Sequence, residues 1–114
     1  MHRTVLLAAL LLPGWAEAHA ILLASQPEAG GTAAAGPVAM LFRFNSRIDR
    51  GRSRLTLTAP DSGQSVLPIA DGTPPDILRT EAALKPGDYV VRWQVLAVDG
   101  HITRGDVPFT VKEP

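Results

Sequence analysis

The sequence predicts an all-β fold, a two-sheet β-sandwich of about seven short strands in a single domain. Apolar residues recur with a period of two in several short runs, and Gly, Pro and Asp break those runs roughly every 8 to 12 residues. No stretch after the first 20 residues carries a long helical period. A small Greek-key barrel is the alternative closure of the same strands.

The elements follow in order. His19–Ser25 (HAILLAS) reads as a first strand, stopped by Pro27 and a turn at Gly30-Gly31. Pro37–Phe44 (PVAMLFRF) alternates, with Val38, Met40, Phe42 and Phe44 on one face. Leu55, Leu57 and Ala59 alternate with Thr56 and Thr58 up to a turn at Pro60-Asp61-Ser62-Gly63. Ser65–Ile69 and Ile77–Thr80 are shorter strands around a Pro-rich loop, and Glu81–Tyr89 gives a brief turn. Tyr89–Val98 (YVVRWQVLAV) is the best-patterned strand: Tyr89, Val91, Trp93, Val95 and Ala97 share a face, with Arg92 and Gln94 opposite. Trp93 and Tyr89 thus read as core. Val107–Lys112 closes the set with Val107, Phe109 and Val111 on one side.

Residues 1–18 read as a cleavable secretory signal. His2 and Arg3 form a basic start, and Thr4–Leu12 is an apolar run too short to span a bilayer. Pro13 and Gly14 then break the run before Ala16-Glu17-Ala18, a small-x-small cleavage site. A cut after Ala18 leaves 96 of the 114 residues, the size of one small domain, with no further segment apolar and long enough to cross a membrane. The mature product, residues 19–114, is expected to be soluble. Ala18-His19-Ala20 also has the small-x-small form, so a cut after Ala20 is the competing possibility.

Charge and cysteine content narrow the function. The mature chain holds ten basic and ten acidic residues, which gives no reason to propose nucleic acid or an anionic membrane as partner. Five arginines (Arg43, Arg47, Arg50, Arg52, Arg54) crowd residues 43–54 against Asp49 alone. They read as a solvated loop and strand edge, with a docking patch for an acidic partner as the alternative. The absence of cysteine rules out disulfides, a thiolate blue-copper site and the usual Cys-rich zinc site.

Few side chains remain for metal or proton chemistry. Asp99 and His101 flank Gly100, and an extended backbone there would put carboxylate and imidazole on one face. D-G is equally a hairpin-turn signal, in which Asp99 caps backbone amides and His101 is solvated. His19 adds weight to the metal reading. As a mature N-terminus it offers an α-amine and a ring nitrogen from one residue, which together close a chelate ring. With His101 and Asp99 the set is three nitrogens and one oxygen, suited to tetragonal Cu(II), with zinc as the competitor.

Three stretches carry a family resemblance. AHAILLASQPEAGG (Ala18–Gly31), VAMLFRFN (Val38–Asn45) and GDYVVRWQVLAVDGHITRGDVPFTV (Gly87–Val111) resemble the CopC-type periplasmic copper-binding proteins. Residues 61–84 match weakly. The resemblance implies an immunoglobulin-like Greek-key sandwich in the periplasm that binds one Cu(II) per chain as a monomer, without being an enzyme. His19 would supply amine and ring, His101 a second imidazole and Asp99 an oxygen. A CopD-type inner-membrane copper protein is the implied partner. Ala97 stands where the family often has Ser and Ile102 where it often has Pro, and neither is a proposed ligand. Met40, the one methionine after the leader, reads as core, so no Met-rich Cu(I) site is expected. The competing functions are a small copper oxygenase built on an N-terminal histidine and a metal-free interaction sandwich.

Overall fold

Period-two alternation organises both layers of the fold. The computed structural model describes residues 19–114, so the signal read over residues 1–18 lies outside the described residues. The strands are β1 (Leu22–Gln26), β2 (Gly31–Ala34), β3 (Gly36–Phe44), β4 (Arg54–Thr58), β5 (Gln64–Leu67), β6 (Ile77–Leu84), β7 (Gly87–Leu96) and β8 (Ile102–Lys112). A 3-10 turn, Arg50–Arg52, precedes β4. β1-β3-β6 form one sheet and β2-β8-β7-β4-β5 the other. All pairs are antiparallel except β2 with β8. The sandwich expected from the pattern is therefore present.

The inward faces are the ones the alternation selects. Met40, Phe42 and Phe44 on β3 and Leu78 on β6 are fully buried, as are Leu55, Val91, Val95, Val107 and Val111 of the larger sheet. Each such side chain contributes about 1.5–3 kcal/mol relative to an exposed one. Phe44 meets Trp93 edge to face across the sandwich, ring centroids 5.2 Å apart. The indole lies over Gly105, where a Cβ would come within 2.8 Å of three of its atoms. The Tyr89 hydroxyl donates to the Lys85 carbonyl at 2.8 Å and fixes the entry to β7.

Strand bounds shift by one or two residues in β3, β4, β5 and β7, the last running Gly87–Leu96 where Tyr89–Val98 was read, and four boundaries depart further, each through long-range pairing. Gly31–Ala34, read as part of a turn, is a strand because it lies parallel to the end of β8, with Gly31 opposite Phe109 and Ala34 opposite Lys112. Gly-Thr-Ala-Ala has little strand preference of its own, so the pairing decides. Glu81–Leu84 extends β6 because β3 pairs with it along its length, from Gly36 opposite Leu84 to Arg43 opposite Ile77. β8 begins at Ile102, not Val107, since its register with β7 runs unbroken from Leu96–Ile102 to Gly87–Val111. β1 begins at Leu22, and a bulge after it leaves Leu23 exposed. The turn at Pro60–Gly63 forms as read, closed by Ser62 N–H to Ala59 O at 2.9 Å and Ala59 N–H to Gly63 O at 2.8 Å. Among the described residues, no helix is long and apolar enough to cross a membrane.

Candidate metal centre

β7 and β8 are joined by Ala97-Val98-Asp99-Gly100-His101, and this connection is a tight turn. Ala97 N–H donates to His101 O at 3.0 Å and Gly100 N–H to Ala97 O at 2.9 Å. Gly100 has φ +88°, a left-handed conformation that favours glycine. Of the two backbone readings of Asp99-Gly100-His101, the hairpin turn forms and the extended one does not. Asp99 and His101 meet nonetheless, because the Asp99 side chain reaches across the turn. Its Oδ1 accepts the His101 backbone N–H at 3.0 Å, and its Oδ2 lies 3.0 Å from His101 Nδ1. The hairpin turn and the carboxylate–imidazole pair are one object: the capping bond that makes Asp a good turn former also delivers the ring.

His19 arrives from the other sheet and is held by its neighbours. The Ala20 carbonyl accepts the Thr103 hydroxyl at 2.9 Å, and Ala20 is buried. Ile21 N–H donates to Asn45 Oδ1 at 2.8 Å, and Asn45 N–H donates back to the Ile21 carbonyl at 3.0 Å. Asn45 follows β3, and Thr103 is the second residue of β8, inward-facing and paired with Val95. The segment before β1 is therefore pinned to both sheets one residue after His19.

The result is a three-residue cluster at one end of the sandwich. One ligand-capable atom from each of His19, Asp99 and His101 lies within 4.8 Å of the others. The two imidazoles meet edge to face with centroids 4.6 Å apart. All three residues are exposed, so an ion and its exchange partners reach them directly. The Asp99 carboxyl is held below its ordinary value of 3.8, chiefly by the His101 backbone N–H, then by the His101 side chain, with the charges of His101 and His19 adding to it. Its anionic form is thereby favoured. Two nitrogens and a carboxylate oxygen, with open solvent beyond, can take a divalent transition ion with room for further ligands.

The remaining residues singled out from sequence separate clearly. Met40 is 1% exposed in the core, away from solvent. Arg50 is structural: its Nη2 donates to Thr73 O at 2.8 Å and Thr73 Oγ1 at 2.7 Å, tying the 3-10 turn to the Pro-rich loop. Arg43, Arg47, Arg52 and Arg54 are solvated as read, although Arg43 on β3 and Arg54 on β4 stand on strands paired on both sides and not at a sheet edge. Thr103 and Asn45, which place His19, carried no signal of their own in the sequence. Their partners lie 83 and 24 residues away.

Comparison with known proteins gives a consistent picture. The CopC domain family matches residues 22–112. Protein YobA of Escherichia coli strain K12 is 32% identical over 124 aligned positions, covering 95% of this chain and 90% of that one. The crystal structure of CopC from Methylosinus trichosporium OB3b superposes with a TM-score of 0.73 at 27% identity, over 83% of this chain and 95% of that one. PcoC of Escherichia coli, a methionine-rich copper resistance protein, superposes with a TM-score of 0.65, also at 27% identity, over 82% and 99% of the two chains.

Proposed function

The chain belongs to the CopC domain family, and from that premise we propose that it is a periplasmic Cu(II) carrier or buffer, not an enzyme. Export removes residues 1–18, and His19 becomes the first residue. Its amine and ring nitrogen, a His101 nitrogen and an Asp99 oxygen then hold one Cu(II) per chain. That set contains no thiolate or thioether, which favours Cu(II) over Cu(I). The reading departs from methionine-rich PcoC on composition: the chain has two methionines, Met1 and the buried Met40. A Cu(I) thioether site is accordingly no part of it. Release proceeds by protonation of the nitrogen ligands or by exchange with a partner's ligands, and a CopD-type membrane protein is the proposed receiver.

The observation that carries the reading is the meeting of His19 with Asp99 and His101, within 4.8 Å, from opposite sheets. The test is Cu(II) titration of the exported protein, with intact mass confirming that it begins at His19. Trp93, the one tryptophan after the leader, supplies the optical signal by quenching. We expect one equivalent bound. His19→Ala and His101→Ala each weaken binding by more than the ~100-fold that loss of an outer-shell partner costs. Met40→Leu binds as wild type. Equal affinity across the three variants, or an exported protein beginning at Ile21, would overturn the proposal.

A further inference from the structure

Among the described residues, three of the five exposed large hydrophobic side chains stand beside the metal cluster. Ile21 is 50% exposed and lies two residues from His19; Val98, 70% exposed, precedes Asp99; Ile102, 51% exposed, follows His101. Val and Ile bury little at these water-facing positions, so burial does not account for them. Cationic side chains border them. Ile48 bridges antiparallel to Ala97, which sets Arg47 beside Val98. Ile102 and Arg104 share the outer face of β8, and Arg104 continues through Gln94 to Arg54 across the sheet. Arg104 bonds to Gln94, a neutral partner, at 2.8 Å. Among the described residues Arg47, Arg54 and Arg104 take part in no ion pair, whereas Arg92 is neutralised by Asp106 at 3.0 Å and Arg52 faces Asp49. An apolar patch rimmed by unneutralised charge of one sign is the signature of a recognition surface.

Resting on the copper-carrier reading, we propose that this end of the sandwich is the docking face for an acidic protein partner, a metal acceptor with a small apolar centre ringed by carboxylates. Each proposed ligand is within two residues of one of the three aliphatic side chains, so an occupant of the patch comes close to the ligands, and a protein can bring imidazole nitrogens of the same kind to them. The rim arginines steer the encounter and the three aliphatic side chains exclude water from it, so the ion passes by ligand exchange within the contact.

Synthetic acceptor peptides test this directly. They share one central His-containing copper-binding segment, flanked by Glu and Leu, by Ser, or by Lys and Leu. Trp93 fluorescence recovery follows Cu(II) leaving the loaded protein in stopped flow. At low salt the Glu/Leu peptide should remove copper at least about tenfold faster than the Ser peptide, and the advantage should fall as salt rises. The triple variant Arg47→Ser, Arg54→Ser, Arg104→Ser should erase that advantage with equilibrium Cu(II) affinity intact. Val98→Ser with Ile102→Ser should weaken peptide binding. Amide shift mapping on metal-free protein provides a second readout, with the Glu/Leu peptide expected to perturb Arg47, Val98, Ile102 and Arg104. That mapping reads docking even if the protein fails to load copper, which separates the two proposals. Equal rates for the three peptides, or shifts centred elsewhere, would overturn docking. Equivalent perturbation by phosphatidylglycerol vesicles would replace the protein partner with a membrane, and concentration-dependent dimerisation through these residues would replace it with a second copy.

Discussion

At the scale of single residues, Asp99 does two things with one carboxylate: it closes the hairpin and it meets the imidazole of His101. The spacing Asp-x-His was visible in the sequence, and so was each of its two readings. What could not be read was that they coincide, because spacing alone does not say whether Gly100 is extended or left-handed. A consequence for acid stability follows from the lowered Asp99 carboxyl. A carboxyl group with a depressed folded-state pKa binds its proton more readily in the unfolded chain. Its contribution is therefore complete above the ordinary value of 3.8 and is lost as the pH falls below it through the folded-state value. Asp99→Asn in the metal-free protein should thus be less stable than wild type near neutrality, and the gap should close below pH 3.8. Thermal unfolding of both proteins from neutral to strongly acid pH checks this; a gap constant across that range would contradict it. Gly100→Ala should also weaken Cu(II) binding, since a Cβ at φ +88° strains the turn that joins Asp99 to His101. Affinities measured on folded protein decide that case.

At the scale of elements, strands with a strict alternation were legible and those made by their neighbours were not. β3, β4 and β7 could be read because one face of each is continuously apolar. β2 could not, since Gly-Thr-Ala-Ala takes its conformation from the end of β8. The same division holds for the site. His101 belongs to a legible hairpin, but the placement of His19 depends on the Thr103 hydroxyl, an inward polar group on β8 that the sequence pattern left without a role. Thr103→Val keeps the shape of the strand and removes the bond to the Ala20 carbonyl. The freed N-terminal segment then has to be ordered by the metal itself, so Cu(II) affinity should fall by about 10-fold, the ~1.4 kcal/mol expected for one lost hydrogen bond. Retention of far-UV circular dichroism together with that drop supports the assignment. Unchanged affinity would mean that His19 needs no anchor.

At the scale of the whole molecule, the two sheets are joined by an apolar core and, at the end that carries the His-Asp-His cluster, by the bond from the Thr103 hydroxyl to the Ala20 carbonyl. His19 leads into β1 of the smaller sheet and His101 into β8 of the larger, so on the proposed ligand set a bound ion would span the two layers. Folded protein alone presents that grip, hence bound copper must raise stability by about 2.7 kcal/mol at a free concentration 100 times Kd. For a domain of this length that is a rise in Tm on the order of 10–20 °C, which His101→Ala should abolish in calorimetry with and without Cu(II). The amino-acid composition gives this a further meaning. A chain with no cysteine has no covalent staple to hold its fold. On the proposed ligand set, a bound ion would take that place, closing a loop of 82 residues from position 19 to position 101 as a reversible clasp.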